Sequence, residues 1–273
     1  MQLPFTTILV VGAGKMGGAL VDGWLAEGVP AASVHLVDPT FAEGDRGWTA
    51  KGVCVHAGLE SLGALSPDLL MLAIKPQMME AVLPSFAPFD GPDMTVLSVA
   101  AGTTRDHISN VFSKACVIRS MPNTAAAVGQ GATAVFGQDV PGAVRDGITA
   151  LLEAVGKVVW LDDEAQMDAV TALSGSGPAY VFHMVEAMAE AGEQLGLSPE
   201  TSMALARQTV VGAGALLGDS PETAAQLRTN VTSPGGTTAA GLSVLRDGGR
   251  LTELMADTMK AARDRSKALA SKP

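Results

Sequence analysis

Gly12-Ala13-Gly14-Lys15-Met16-Gly17 follows the apolar run Thr7–Val11, opens a helical pattern over Met16–Leu25, and is succeeded by a second apolar run at Val34–Val37. Strand, glycine turn, helix and strand in that order fold as a βαβ unit, because parallel neighbours need a crossover connection. In a G-x-G-x-x-G turn the first glycine permits the tight bend, the second lets the backbone approach a pyrophosphate, and the third lets helix and strand pack closely. The helix start adds unpaired N–H groups that favour an anion. The pattern predicts a dinucleotide site at Gly12, Ala13, Gly14, Lys15, Met16 and Gly17; a tight turn with no ligand is the plainer alternative.

Asp38 closes the second strand about 20 residues beyond Gly17, where an acid normally accepts hydrogen bonds from the adenosine ribose and repels a 2′-phosphate. That favours NADH, whereas the Thr40 hydroxyl and Arg46, within loop reach, would suit a phosphate, and an Asp after a strand also serves as a turn former. The choice between NADH and NADPH stays open at this stage.

Further apolar runs stand at Leu69–Ile74, Thr95–Val99, Cys116–Ile118, Thr133–Phe136 and Val158–Leu161, with helical segments at Met78–Leu83, Arg105–Phe112 and Val144–Val155 between them. Near-continuous apolar strands are the mark of a parallel sheet buried on both faces, so residues 1–162 are read as an α/β layer domain. Ligands of such sheets bind at the carboxyl edge, where Ala73-Ile74-Lys75-Pro76 and Ala100-Ala101-Gly102 end two strands. Small residues there admit a nicotinamide ribose and ring, and Lys75 is either a partner for a negative group or a solvated loop cation. Arg119–Thr124 is a third strand end, with Asn123 as turn former or amide partner.

From Asp162-Asp163-Glu164 onward the punctuation is helical, and residues 163–273 are read as an all-α domain with helices near 163–173, 178–195, 199–217, 221–228, 237–247 and 250–269. Ser198-Pro199-Glu200 and Ser220-Pro221-Glu222 each combine an N-cap hydroxyl, a proline that loses no hydrogen bond and an acid suited to the helix dipole. Helix 178–195 is apolar on nearly every side, a composition that one small domain cannot cover. A homodimer at least is expected, with a tightly packed monomeric core as the alternative; His183 on this helix is expected to be a buried, neutral core residue.

A net charge of −10, from 18 Lys and Arg against 28 Asp and Glu, repels nucleic-acid backbones and anionic membrane surfaces. The two cysteines, Cys54 and Cys116, offer neither a disulfide framework nor a zinc set. With no secretory signal, transit peptide or membrane span to be read, a cytoplasmic location is expected.

Hydroxy-acid dehydrogenases commonly use a Lys or His to move the hydroxyl proton, yet Val158–Met259 holds no lysine and, as its histidine, His183 alone. Hydroxyls and glycines are plentiful instead. Ser174-Gly175-Ser176-Gly177-Pro178 precedes one helix, and Ser233-Pro234-Gly235-Gly236-Thr237-Thr238 runs into another. The second segment lets backbone curl around a ligand while a helix start aims N–H groups at one point, a cradle for a small carboxylate; two ordinary capped helix starts are the alternative. A cyclic iminium is already electrophilic and already protonated, so its reduction needs positioning more than a dedicated acid.

Taken together, Gly12–Gly17, Ala73–Pro76, Ala100–Gly102, Arg119–Thr124, Ser174–Tyr180 and Ser233–Thr238 resemble, in order and spacing, the blocks of the pyrroline-5-carboxylate reductase family over essentially the entire chain. The resemblance implies a Rossmann-type domain followed by a helical dimerisation domain, assembly as a dimer or decamer, and NADPH- or NADH-dependent reduction of 1-pyrroline-5-carboxylate to L-proline. It implies that Gly12–Gly17 hold the pyrophosphate, that Lys75, Pro76, Ala100, Ala101 and Gly102 flank the nicotinamide half, and that Ser233, Gly235, Gly236, Thr237 and Thr238 receive the substrate. Thr238 would also meet the imine nitrogen, and Glu164 aligns with a family residue near the substrate. Asp38 departs from the phosphate clasp of NADPH-preferring members, and Ala126 stands where a proline is frequent. A hydroxy-acid dehydrogenase and a non-catalytic nucleotide-sensing regulator are the competing readings.

Overall fold

The computed structural model describes residues 3–43, 45 and 47–270. The chain forms two compact units: one runs to Ser176 and takes in the residues from Ala262 onward, and the other is Gly177–Ala261.

The first unit is built on an eight-stranded sheet: β1 (Ile8–Val11), β2 (Val34–Val37), β3 (Cys54–His56), β4 (Leu69–Leu72), β5 (Thr95–Ser98), β6 (Cys116–Met121), β7 (Gly131–Gly137) and β8 (Gly156–Trp160). The strand order is β3-β2-β1-β4-β5-β6-β7-β8. β1 pairs in parallel with both β2 and β4, so the chain reverses its direction of travel across the sheet beside β1. That reversal opens the crevice where ligands of such sheets bind.

Side chains alternate across a strand, so a run that is apolar at every position needs cover on both faces. The packing supplies it. Ile8 and Val10 join Leu20 and Trp24 of α1 (Lys15–Ala26) and Ile148 and Leu151 of α4 (Gly142–Glu153), while Leu9 and Val11 join Met79 of α2 (Pro76–Val82), Phe86, and Ile108 of α3 (Arg105–Ser109). The buried Trp24 indole N–H donates to the Leu151 carbonyl at 2.7 Å, tying α1 to α4 without leaving a polar orphan.

Two features depart from the sequence reading of this unit. β7 runs antiparallel to β6, because the connection is one 3₁₀ turn at Thr124–Val128 closed by Gly129 at φ +70°, too short for a crossover helix. β3 has no counterpart among the apolar runs: it is three residues long, lies at the sheet edge and is only half-buried, so it carries no apolar alternation.

Past β8 the expected helix 163–173 is broken into a 3₁₀ turn at Glu164–Gln166, α5 (Met167–Val170) and a π-helical turn at Thr171–Gly175. The second unit begins with α6 (Gly177–Gln194) and α7 (Pro199–Asp219), an antiparallel pair turned at Gly196, whose φ is +98°. The crossing is close: a Cβ on Gly192 would come within 2.9 Å of Ser202 Oγ. Ser198 caps α7 by accepting from Thr201 N–H, as expected, but α7 runs through Gly218. The next helix, α8 (Ala224–Asn230), is capped by Thr223 rather than Ser220, whose hydroxyl instead accepts from the Glu222 N–H. α9 (Thr237–Arg246) and α10 (Arg250–Ala270) complete the chain.

His183 corrects another expectation. It is exposed and contacts Glu186 at 3.0 Å, because α6 shows solvent a face that includes Phe182 at 65% exposure. Leu205, Leu216 and Val231 are also exposed, so this unit carries uncovered apolar side chains of the kind that mark association surfaces.

Candidate active site

Gly12 adopts φ +97°, a conformation costly for any residue with a side chain, and a Cβ there would lie 2.7 Å from the Ala73 carbonyl oxygen. The ends of β1 and β4 therefore meet at the crevice, and Ala73 N–H donates to Val11 O at 2.8 Å. A Cβ on Gly17 would strike the Gly12 carbonyl oxygen and lie 3.1 Å from Ala73 Cβ, so the helix start is pressed onto the strand ends. Gly14 is the opposite case: it is exposed, and a Cβ built on it meets nothing within 4 Å. Bend, open approach and close packing thus fall on the three glycines in the order a pyrophosphate cradle requires. Lys15 and Met16 open α1, whose N-cap carries no side-chain hydrogen bond, so its first N–H groups face outward unpaired with protein side chains.

Asp38 stands beside this cradle. Its Oδ2 accepts from Ala13 N–H at 2.7 Å, and its Oδ1 accepts from Thr40 N–H at 2.9 Å and Thr40 Oγ1 at 2.6 Å. The Thr40 hydroxyl is thus engaged by the carboxylate. Arg46 lies outside the described residues.

At the carboxyl edge of β4, Lys75 is exposed and forms the N-cap of α2, with Pro76 at the first helical position. Beyond β5, Ala100 is buried, its N–H meeting Ser98 Oγ at 3.2 Å, and Gly102 takes φ +76°. A cavity of about 200 Å³ opens there, lined by Ala101, Gly102, Thr171, Ser176, Arg265 and Ser266. Sequence reasoning misses Arg265, whose distance along the chain from Gly102 leaves no local signal. A larger cleft of about 730 Å³ follows the flank of α1 from Lys15 to the Thr124–Val128 turn, beside the glycine cradle rather than across the strand ends.

Glu164 begins the segment after β8. Its Oε1 accepts from Arg105 N–H at 2.7 Å and pairs with the Arg119 guanidinium of β6. Asn123 bridges two elements, donating to Ser174 O at 3.1 Å and accepting from Ala132 N–H at 3.2 Å, and so fixes the π-helical turn. Ser266 Oγ donates to Asp168 at 2.7 Å. Burial holds the Cys116 thiol above its ordinary range, against the opposing pull of the Arg105 guanidinium.

In the second unit, Ser233–Thr238 forms a tight turn. Gly236 N–H donates to Ser233 O at 3.1 Å, and Gly235 takes φ +72°. A Cβ on Gly236 would approach Ser233 Oγ to 2.5 Å, so the serine hydroxyl folds over a glycine that must lack a side chain. Gly236 caps α9 without a side-chain bond, and the first N–H drawn into the helix is that of Ala240, to Gly236 O. The N–H groups of Thr237 and Thr238 precede that bond at the helix start.

A doubly wound sheet with this cradle at its reversal point defines a nicotinamide-dinucleotide oxidoreductase. Residues 164–269 match the family model for pyrroline-5-carboxylate reductase dimerisation, and residues 7–102 match that described as NADP oxidoreductase, coenzyme F420-dependent. The chain is 40% identical over 266 residues to the pyrroline-5-carboxylate reductase of Pseudomonas aeruginosa, covering 96% of each chain. It resembles the solved structure of a pyrroline-5-carboxylate reductase from Coxiella burnetii with a TM-score of 0.91 and 35% identity, covering 98% of this chain and 99% of that one. The Plasmodium falciparum pyrroline carboxylate reductase with NADP bound aligns at a TM-score of 0.81 and 27% identity, covering 99% of this chain and all of that one. The chain belongs to the pyrroline-5-carboxylate reductase family.

Proposed function

We propose that the protein reduces 1-pyrroline-5-carboxylate to L-proline with NADH or NADPH. When bound at Gly12–Gly17, the reduced nucleotide would supply a hydride to the imine carbon, which becomes C5 of the proline formed, while the C=N π pair becomes the lone pair of the ring amine. The observation that carries the reading is the pair of backbone cradles, one for a pyrophosphate at Gly12–Gly17 and one for a small carboxylate at Ser233–Thr238.

The chain's own residues act by binding and orienting. The open backbone at Gly14 and the unpaired start of α1 receive the pyrophosphate. Lys75, Pro76, Ala100, Ala101 and Gly102 flank the nicotinamide half. Ser233, Gly235, Gly236 and Thr237 hold the substrate carboxylate. The Thr238 hydroxyl orients the imine nitrogen, which arrives protonated, so no separate strong acid is demanded. Glu164 supports the substrate end while serving as partner to Arg119.

The helical segment works as a homodimer, for which its exposed apolar faces are suited, and the assembly extends to a decamer. No described helix is long and apolar enough to cross a membrane. We assign the enzyme to the cytoplasm, with neither nucleic acid nor membrane as partner, in keeping with its acidic charge.

Purified protein mixed with reduced nucleotide and 1-pyrroline-5-carboxylate tests the proposal. Loss of nucleotide absorbance matched one for one by proline is expected. Tight nucleotide binding without turnover would favour a sensing role, and turnover with a hydroxy acid alone would favour a hydroxy-acid dehydrogenase.

A further inference from the structure

Residues 99–104 leave the carboxyl end of β5 and enter α3 at Arg105. The near end is tied to the sheet, with Val99 N–H donating to Leu72 O at 3.1 Å and Ala100 N–H meeting Ser98 Oγ at 3.2 Å. The far end is tied across the unit by the Arg105 N–H, which donates to Glu164 Oε1 at 2.7 Å. Between these ties, among the described residues, the N–H groups of Ala101, Gly102, Thr103 and Thr104 meet no protein acceptor, and Gly102 bends the chain at φ +76°. A stretch without hydrogen bonds of its own takes its position from its ends.

Glu164 can hold the far end only if it is itself held. The Arg119 guanidinium pairs with the same Oε1. Arg119 stands in β6, in register with Ser98 of β5 on one side and Phe136 of β7 on the other, and its side chain is nearly buried. A fixed cation of this kind gives the carboxylate a strong, directional partner. The Arg105 side chain offers no substitute: its Nε is buried without a partner, and its Nη1 lies 3.7 Å from the exposed Asp106. Without the Arg119 charge, the partly exposed Glu164 is released toward solvent and the Arg105 N–H loses its anchor.

We infer that Arg119 is a positioning residue for hydride transfer: acting through Glu164, it sets where residues 101–104 meet the nicotinamide. The inference rests on the reductase reading above, which puts the nicotinamide half beside Ala100, Ala101 and Gly102, and adds the residue that holds that wall in place. Misplacing a reacting atom by about 1 Å can cost on the order of 100-fold in rate. The pyrophosphate, received at Gly12–Gly17, keeps most of the binding, so rate falls while affinity holds.

The test compares Arg119→Met with the unaltered full-length protein. Single-turnover mixing with reduced nucleotide and 1-pyrroline-5-carboxylate reads the transfer rate per bound nucleotide, and amide hydrogen exchange reads residues 101–105. Arg119→Met is expected to transfer hydride about tenfold or more slowly, with the nucleotide dissociation constant within about threefold and faster exchange at 101–105. Arg119→Lys, which keeps a cation for Glu164, is expected to recover most of the rate. An unchanged rate per bound nucleotide, the result of a purely structural role, overturns the inference while leaving the reductase assignment intact. So does a slower rate with unchanged exchange at 101–105, or a lysine variant as slow as the methionine one. Should Arg119→Met fail to fold, the same two readings on Arg119→Gln decide the matter. Absence of turnover in the unaltered protein overturns both.

Discussion

The carboxylate of Glu164 pairs with the guanidinium of Arg119, joining the start of the post-sheet segment to the sixth strand. Arg119 keeps only 10% of its side chain exposed, so Glu164 is the counter-charge that compensates a nearly buried cation; Glu164, at 26%, is wetter, which tempers the energy involved. The same Oε1 also accepts the Arg105 N–H, so one oxygen links three segments.

Removing that oxygen strands a nearly buried cation. Glu164→Ala is expected to cost about 2–3 kcal/mol, seen as a lower melting temperature. Pairing it with Arg119→Met should restore part of the loss. If Glu164 also supports the substrate, KM for the imine rises in Glu164→Gln while nucleotide affinity holds. A double variant as unstable as the sum of both single ones would show that the pair is not coupled.

The glycines of the cradle separate folding from binding. Gly17→Ala drives a methyl into the Gly12 carbonyl and should destabilise the protein on the order of 3 kcal/mol, despite alanine's better helix propensity. Gly14→Ala meets nothing within 4 Å and should leave the melting temperature nearly unchanged. Its methyl would occupy the approach of the pyrophosphate, so nucleotide affinity should fall tenfold or more. Equal effects of the two substitutions on stability would contradict the assigned roles.

His35 and His56 stack at 5.3 Å between ring centroids, with ring nitrogens 3.1 Å apart. Burial and then the charge of His56 hold the His35 pKa below its ordinary value of 6.5. Because the folded pKa is depressed, the unfolded chain takes up the proton first as pH falls. The His35 contribution is fully present above about pH 6.5 and is lost on acidification through the lowered value. Melting temperatures measured from pH 7.5 to 5 should decline, and His35→Gln should flatten that decline. A slope unaffected by the substitution would place the acid sensitivity elsewhere.

Thr238 is assigned to the imine nitrogen. Thr238→Ala should lower turnover about tenfold, or about 1.4 kcal/mol of transition-state stabilisation, with nucleotide affinity unchanged. Thr238→Ser, which keeps the hydroxyl, should recover most of the rate. Full activity in the alanine variant would remove Thr238 from the chemistry.

Much of this is legible in the residues because strong local rules govern them. The glycine turn, the doubly buried strands and the Ser198 cap each follow from patterns a few residues long, and the structure bears them out. What escapes a reading of the sequence depends on partners far along the chain. β3 is too short and too exposed to show a period; the reversal of β7 follows from the brevity of the Thr124–Val128 connection; Arg265 reaches the Gly102 cavity from the last helix. His183 runs against expectation because an apolar helix is ordinarily covered within its own chain, whereas the open face of α6 suits a second copy.

Isotope transfer tests direct reduction of the ring acid most sharply. Nicotinamide nucleotide carrying deuterium at C4, stereospecifically and on each face in turn, is incubated with the enzyme and 1-pyrroline-5-carboxylate, and proline is analysed by mass spectrometry and NMR. One of the two labelled nucleotides should yield proline with a single deuterium at C5, and the other none. Proline unlabelled from both, or label lost to solvent, would contradict direct hydride delivery.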